Sequence, residues 1–170
     1  MTERPTTLCE AFQRTAAIDP DAVALRTPGD AQTLTWRDYV GQVRRVAAGL
    51  AALGVQRGDT VSLMMANRVE FYPLDVGAQH LGATSFSVYN TLAPEQLTYL
   101  FDNAGTKVVI CEEQYVDRMK ASGAALEHIV CIDGSPEGAT SLDDMLWRAG
   151  RPISTSNPPG AQCNPTMSSR

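Results

Sequence analysis

Phosphate-cradling glycine motifs are missing from this sequence. Neither G-x-x-x-x-G-K-[ST] nor G-x-G-x-x-G occurs in its 170 residues, so the usual backbone nests for a nucleotide's phosphates are excluded. No G-x-S-x-G nucleophile elbow occurs either. Histidine is scarce, at two residues, and the four cysteines (Cys9, Cys111, Cys131, Cys163) are scattered without a C-x-x-C pair. That leaves no ligand set for zinc, and Cys111 and Cys131, each inside an apolar run, read as reduced core residues. No uninterrupted apolar run approaches the ~20 residues of a membrane span. Met1 to Pro5 carries no apolar signal core. A net charge of −5 offers no basic footprint for nucleic acid. Asn164 heads an N-x-S/T pattern blocked by Pro165, so no glycosylation sequon remains. These absences predict a cytoplasmic chain with no nucleic-acid partner, no transmembrane segment and no metal.

What is present divides unevenly. In residues 151–170, Ser, Thr, Asn, Pro and Gly fill thirteen of twenty positions, four of the ten prolines lie there, and no acidic residue follows Asp144. Such a stretch cannot bury enough apolar surface to offset its conformational entropy. The expectation is a folded part over 1–149 and a disordered tail over 150–170.

Within the first part, apolar runs alternate with amphipathic ones. Leu8, Phe12 and Thr15 follow helical spacing, stopped by Asp19-Pro20. Ala22 to Arg26 reads as a short strand before the turn chemistry of Pro28-Gly29-Asp30. Thr35 stands three residues before Asp38, a capping pattern for a long helix closed by Gly54. Gly41 and Gly49 inside that helix are expected to serve close packing of helix on sheet. Thr60 to Ala66 is apolar enough for a strand buried on both faces. Asn67 is placed to cap a helix from Arg68 to Leu81, with Pro73 arguing for a late start. Strands follow at 84–88, 107–111 and 128–132, and helices at 93–103, 112–122 and 142–147. Strand–helix alternation with short connections predicts an α/β fold, a parallel-sheet subdomain with flanking helices.

Candidate chemistry is thin. His80, late in a helix, and His128, at a strand start, have no partner that spacing identifies. Glu112-Glu113 pairs two carboxylates at a helix start, where the dipole favours acids and adjacent side chains diverge. Met64-Met65 with Phe71, Tyr72, Phe86 and Tyr89 would line either a hydrophobic groove or the core. Tyr89-Asn90-Thr91 follows a strand, and α/β folds bind ligands at the carboxyl ends of parallel strands. These residues define no catalytic, cofactor-binding or metal-binding set.

The order of segments carries more. Leu34-Thr35-Trp36-Arg37-Asp38, Leu53-Gly54-Val55-Gln56-Arg57-Gly58-Asp59-Thr60-Val61, Asn67-Arg68-Val69-Glu70-Phe71 and Gly82-Ala83 resemble the start of the AMP-forming acyl-CoA synthetases. These belong to the adenylate-forming superfamily, with the luciferases and peptide-synthetase adenylation domains. Val88-Tyr89-Asn90-Thr91-Leu92, Glu95-Gln96-Leu97 and Lys107-Val108-Val109-Ile110-Cys111 look like its long-chain fatty-acid branch. The resemblance covers about residues 6–149. It implies a fatty-acid–CoA ligase of lipid metabolism: fatty acid and ATP give an acyl-adenylate and pyrophosphate, and CoA then displaces AMP. It also implies ATP, Mg2+ and CoA as the parent's cofactors. The family's phosphate loop, adenine segment, ribose-binding Asp and catalytic Lys all match later positions than this sequence holds, so no catalytic residue carries over and this chain would hold no cofactor. The resemblance implies a helix and strand where the tail stands. A frameshift near residues 148–151 with early termination would account for the difference. The chain then reads as a truncated ligase, inactive alone. The alternatives are half of a split ligase completed by a downstream polypeptide, or a non-catalytic binding module.

Overall fold

Helix α1 (Leu8–Ile18) begins where the Thr7 side chain accepts the Glu10 N–H. The computed structural model describes residues 4–148, and the expected tail over 150–170 lies outside them. Strands β1 (Val23–Arg26) and β2 (Thr33–Thr35) form a small antiparallel pair. β2, three residues long and running into a helix cap, is not apparent from alternation. Thr35 and Asp38 form the reciprocal capping box at the start of α2 (Trp36–Ala52).

Four crossovers then build a five-stranded sheet in the order β4-β3-β5-β6-β7, every neighbour parallel. Its strands are β3 (Thr60–Met64), β4 (Thr84–Ser87), β5 (Thr106–Cys111), β6 (His128–Cys131) and β7 (Thr140–Ser141). Between them run α3 (Phe71–His80), α4 (Pro94–Ala104) and α5 (Glu113–Ala121), and α6 (Leu142–Arg148) follows. The expected α/β class is present, and β7, two residues long, is additional.

The helix expected from Arg68 starts instead at Phe71. Pro73 explains this. In a helix from Arg68 its missing N–H would fall on an interior bond, whereas from Phe71 it occupies the first turn, where no donor is needed.

The period of two sends alternate strand residues to opposite faces. Val61, Leu63, Val108 and Ile110 pack with Val46, Leu50, Leu74 and Met145 from α2, α3 and α6. Met64, Val109 and Cys111 pack with Leu97, Phe101, Val116 and Met119 from α4 and α5. Ser62, fully buried, is satisfied by the Thr106 hydroxyl at 3.1 Å.

The glycines of α2 behave differently from the expectation of helix-on-sheet packing. A Cβ at Gly49 would lie 3.0 Å from Met145 of α6, so Gly49 serves helix-on-helix contact. A Cβ at Gly41 would meet nothing within 4 Å.

Candidate functional site

The carboxyl ends of the parallel strands converge through backbone hydrogen bonds that outlast the strands themselves. Val88 N–H donates to Leu63 O, Glu112 N–H to Met64 O and Ile132 N–H to Cys111 O. This places Ala66–Glu70, Tyr89–Asn90, Glu112 and Asp133 along one edge, where such folds present ligand sites.

Arg68 organises this edge. Its guanidinium donates to Asp133 at 2.9 Å and to Glu70 at 3.1 Å, and lies 3.9 Å from Glu112. Glu112 is buried, and its carboxylate accepts the Ala66 N–H at 2.5 Å and the Gln114 amide at 2.9 Å. Asp133 also accepts the Glu113 N–H at 2.8 Å, closing the first turn of α5 from the next strand. The hydrogen bond with Glu70 foremost holds Arg68 charged even more firmly than usual. Burial alone pushes Glu70 up, but the Arg68 hydrogen bond, a backbone hydrogen bond and the guanidinium charge outweigh it, leaving its carboxyl below the ordinary range.

Chemically this is a clip. One cation binds three carboxylates, so the local charge is negative and the Arg68 donors are already engaged. A triphosphate with Mg2+ does not fit these residues, because anionic charge needs cationic and backbone donors that are free. Among the described residues, no group of three or more His, Cys, Asp or Glu side chains could hold a metal ion.

Tyr89-Asn90 does lie on this edge. Asn90 donates to the Tyr115 hydroxyl at 3.1 Å, its carbonyl accepts from Arg118, and the Arg118 guanidinium stands 5.5 Å over the Tyr115 ring. Tyr89 itself is 81% exposed. The other sequence candidates are dispersed. Met64 and Phe86 pack on the α4–α5 face and Met65 and Phe71 on the opposite face, so the sheet separates them and they line no common groove. His80 ends α3, with Nδ1 2.8 Å from the Val76 carbonyl, and His128 starts β6 at the other end of the sheet. Glu112 and Glu113 diverge as adjacent residues should, one buried and one exposed. Arg68 and Asp133 escaped spacing arguments. The available signal was Glu112 directly after the apolar run of β5, since a carboxylate drawn into an interior requires a cation.

The two buried thiols are poorly disposed to react. Burial pushes Cys111 up to about 12 and also raises Cys131, so neither supplies a thiolate nucleophile. Burial likewise raises Tyr39 to about 12. A raised folded value contributes stability below the unfolded value that disappears as pH rises through the folded one. The denaturation midpoint is therefore expected to fall progressively from about pH 9 to about pH 12. Tyr39→Phe should flatten the upper part of that fall. A midpoint constant to pH 11.5 would contradict both assignments.

Comparison with known proteins places this geometry. A profile of AMP-binding enzymes matches residues 12–165. An uncharacterised protein of Mycobacterium tuberculosis strain H37Rv is 83% identical over 135 residues, covering 79% of this chain and 77% of that one. A 4-coumarate–CoA ligase of Arabidopsis thaliana is 31% identical over 103 residues, 61% of this chain and 18% of the ligase. A long-chain-fatty-acid–CoA ligase of Mycobacterium tuberculosis is 34% identical over 99 residues, 58% of this chain and 20% of the ligase. Among solved structures, a Rhodopseudomonas palustris protein assigned as a long-chain-fatty-acid CoA ligase superposes with a TM-score of 0.75 at 25% identity, over 82% of this chain and 36% of that one. The N-terminal domain of FACL13 from Mycobacterium tuberculosis shares the fold, with a TM-score of 0.71 at 24% identity over 94% of this chain and 39% of that domain. The chain thus spans about a fifth of the ligases it matches.

Proposed function

The chain belongs to the AMP-binding enzyme family, and we propose that it is the N-terminal part of a fatty-acid–CoA ligase that forms no thioester by itself. The parent reaction joins a fatty-acid carboxylate to the α-phosphate of ATP, releasing pyrophosphate. The thiol of CoA then attacks the acyl carbon, and AMP departs. The observation that carries this reading is the superposition on the assigned fatty-acid CoA ligase, of which this chain covers 36%. The resemblance of Val88 to Leu92 to the fatty-acid branch supports the choice of acid. In this role β3, β5 and the Arg68 clip provide a rigid layer, and the groups that meet ATP come from the rest of the fold.

Among the described residues β4 pairs on one side only, and this edge together with the exposed rings of Tyr72, Tyr89 and Tyr99 favours completion by a second polypeptide. Such edges and apolar patches are surfaces that another part of a fold covers. The test is pyrophosphate release from purified chain with ATP, Mg2+, palmitate and CoA, expected to equal the protein-free blank. Release that follows the pure chain through its purification would overturn the proposal of inactivity. Adding a polypeptide that carries the remaining ligase fold is expected to restore release, and silence of the mixture would eliminate completion in trans.

A further inference from the structure

A groove of about 340 Å³ opens between α1, α2 and the end of α3, on residues distinct from the Arg68 clip. That volume lies in the range of small-molecule sites. Its wall is aromatic: Phe12 stands edge-on to Trp36 at 5.8 Å and to His80 at 5.6 Å. Two arginines, Arg37 and Arg44, line it, and no Asp or Glu does. Arg37 is held by Asp21 at 3.0 and 3.2 Å. Arg44 is exposed and makes no ion pair among the described residues.

Gly41 supplies the second observation. It also lines the groove, in the interior of α2, where glycine is disfavoured relative to alanine. Gly49 and Gly77 have a packing reason for lacking a side chain, since a Cβ would lie 3.0 Å from Met145 in one case and 2.5 Å from Val46 in the other. Gly41 has no such neighbour: a Cβ there would meet nothing within 4 Å, so packing does not account for the glycine at this lining position.

We propose that this groove binds a small planar aromatic anion, its ring against Phe12 and Trp36 and its negative charge on Arg44. The lining is complementary in charge to an anion. Flat ring surfaces favour a rigid ring over an aliphatic chain, which loses rotamer freedom when ordered. Guanidinium groups both pair with carboxylates and stack on rings.

The probe is 2-naphthoate, titrated into the full 15N-labelled chain while the indole N–H resonances of Trp36 and Trp147 are followed. A saturable shift at Trp36 with Trp147 unmoved is the expected result. Arg44→Gln should weaken binding about fivefold, the upper size of one exposed charge contact. Gly41→Leu, which fills the groove, should abolish the shift without lowering the melting temperature. The neutral 2-naphthalenemethanol and aliphatic octanoate should each bind more weakly. Four outcomes overturn the proposal: no saturable shift at Trp36, parallel movement of Trp147, undiminished binding by Gly41→Leu, or equal affinity for the alcohol or octanoate.

Discussion

Gly77→Val is expected to remove about 3 kcal/mol of folding free energy, the upper end of what overpacking a core costs. The close approach of α3 to α2 sets this. A Cβ at Gly77 would stand 2.5 Å from Val46 Cγ1, 2.9 Å from Val46 Cβ and 3.3 Å from the Ala47 nitrogen. The first contact is a branched side chain with few rotamers, and the last is backbone. Neither yields, so the helices must separate. Val46 also packs in the core under α2, so a shift propagates to β3 and β5. Against a total stability of about 5–15 kcal/mol, this is a large fraction. Chemical denaturation followed by circular dichroism measures it. Gly77→Ala should lie between parent and valine, because alanine's better helix propensity offsets part of the clash. An unfolding midpoint for Gly77→Val equal to the parent's would remove close packing as the reason for this glycine.

The major elements of the sheet and its helices were legible because local and tertiary signals agree there. The runs read at 60–66 and 107–111 contain β3 and most of β5, which sit between helices that cover both faces. Thr35 with Asp38, Pro94 and Gly105 mark helix ends through backbone chemistry that needs no distant partner. β2 and β7 were not legible, since three and two residues are too short to show alternation. The Arg68 clip was hidden for a different reason. Its members sit at 68, 70, 112 and 133 and are assembled by the crossovers, so no spacing rule joins them. Tyr89-Asn90 could be placed at the carboxyl end of the sheet because β4 ends just before it, but its attachment to Tyr115 and Arg118 depends on how α5 packs. The sorting of Met64 and Phe86 from Met65 and Phe71 follows from the pleat, which residue type alone does not reveal.

Arg68→Ala is expected to cost about 2 kcal/mol at pH 7, between the ~0–1 kcal/mol of an exposed ion pair and the ~3–5 kcal/mol of a buried one. The intermediate value follows from exposure: Arg68 and Glu70 side chains are each 30% exposed, Asp133 32% and Glu112 8%. Without the guanidinium, three carboxylates face one another at the ends of β3, β5 and β6. Glu112 keeps the Ala66 N–H and the Gln114 amide, which limits the loss. The pH dependence identifies the cause. Glu70 has its folded value below the unfolded one of about 4.5. Its contribution is therefore complete above that pH and disappears as pH falls through the lower folded value. The parent should lose stability below about pH 4.5, and the gap between parent and Arg68→Ala should narrow in the same interval as the carboxylates protonate. Arg68→Lys restores the charge but cannot reach Glu70 and Asp133 with one planar fork, so it should recover part of the loss. Hydrogen exchange adds a local measure, because the loop after β3 is joined to β5 through Ala66 and Glu112. The Ala66 amide should exchange faster in Arg68→Ala even where global stability is matched by added osmolyte. A midpoint unchanged at pH 7, or a penalty that persists undiminished at pH 3, would mean that the three carboxylates do not depend on Arg68 and that the edge is held by backbone alone.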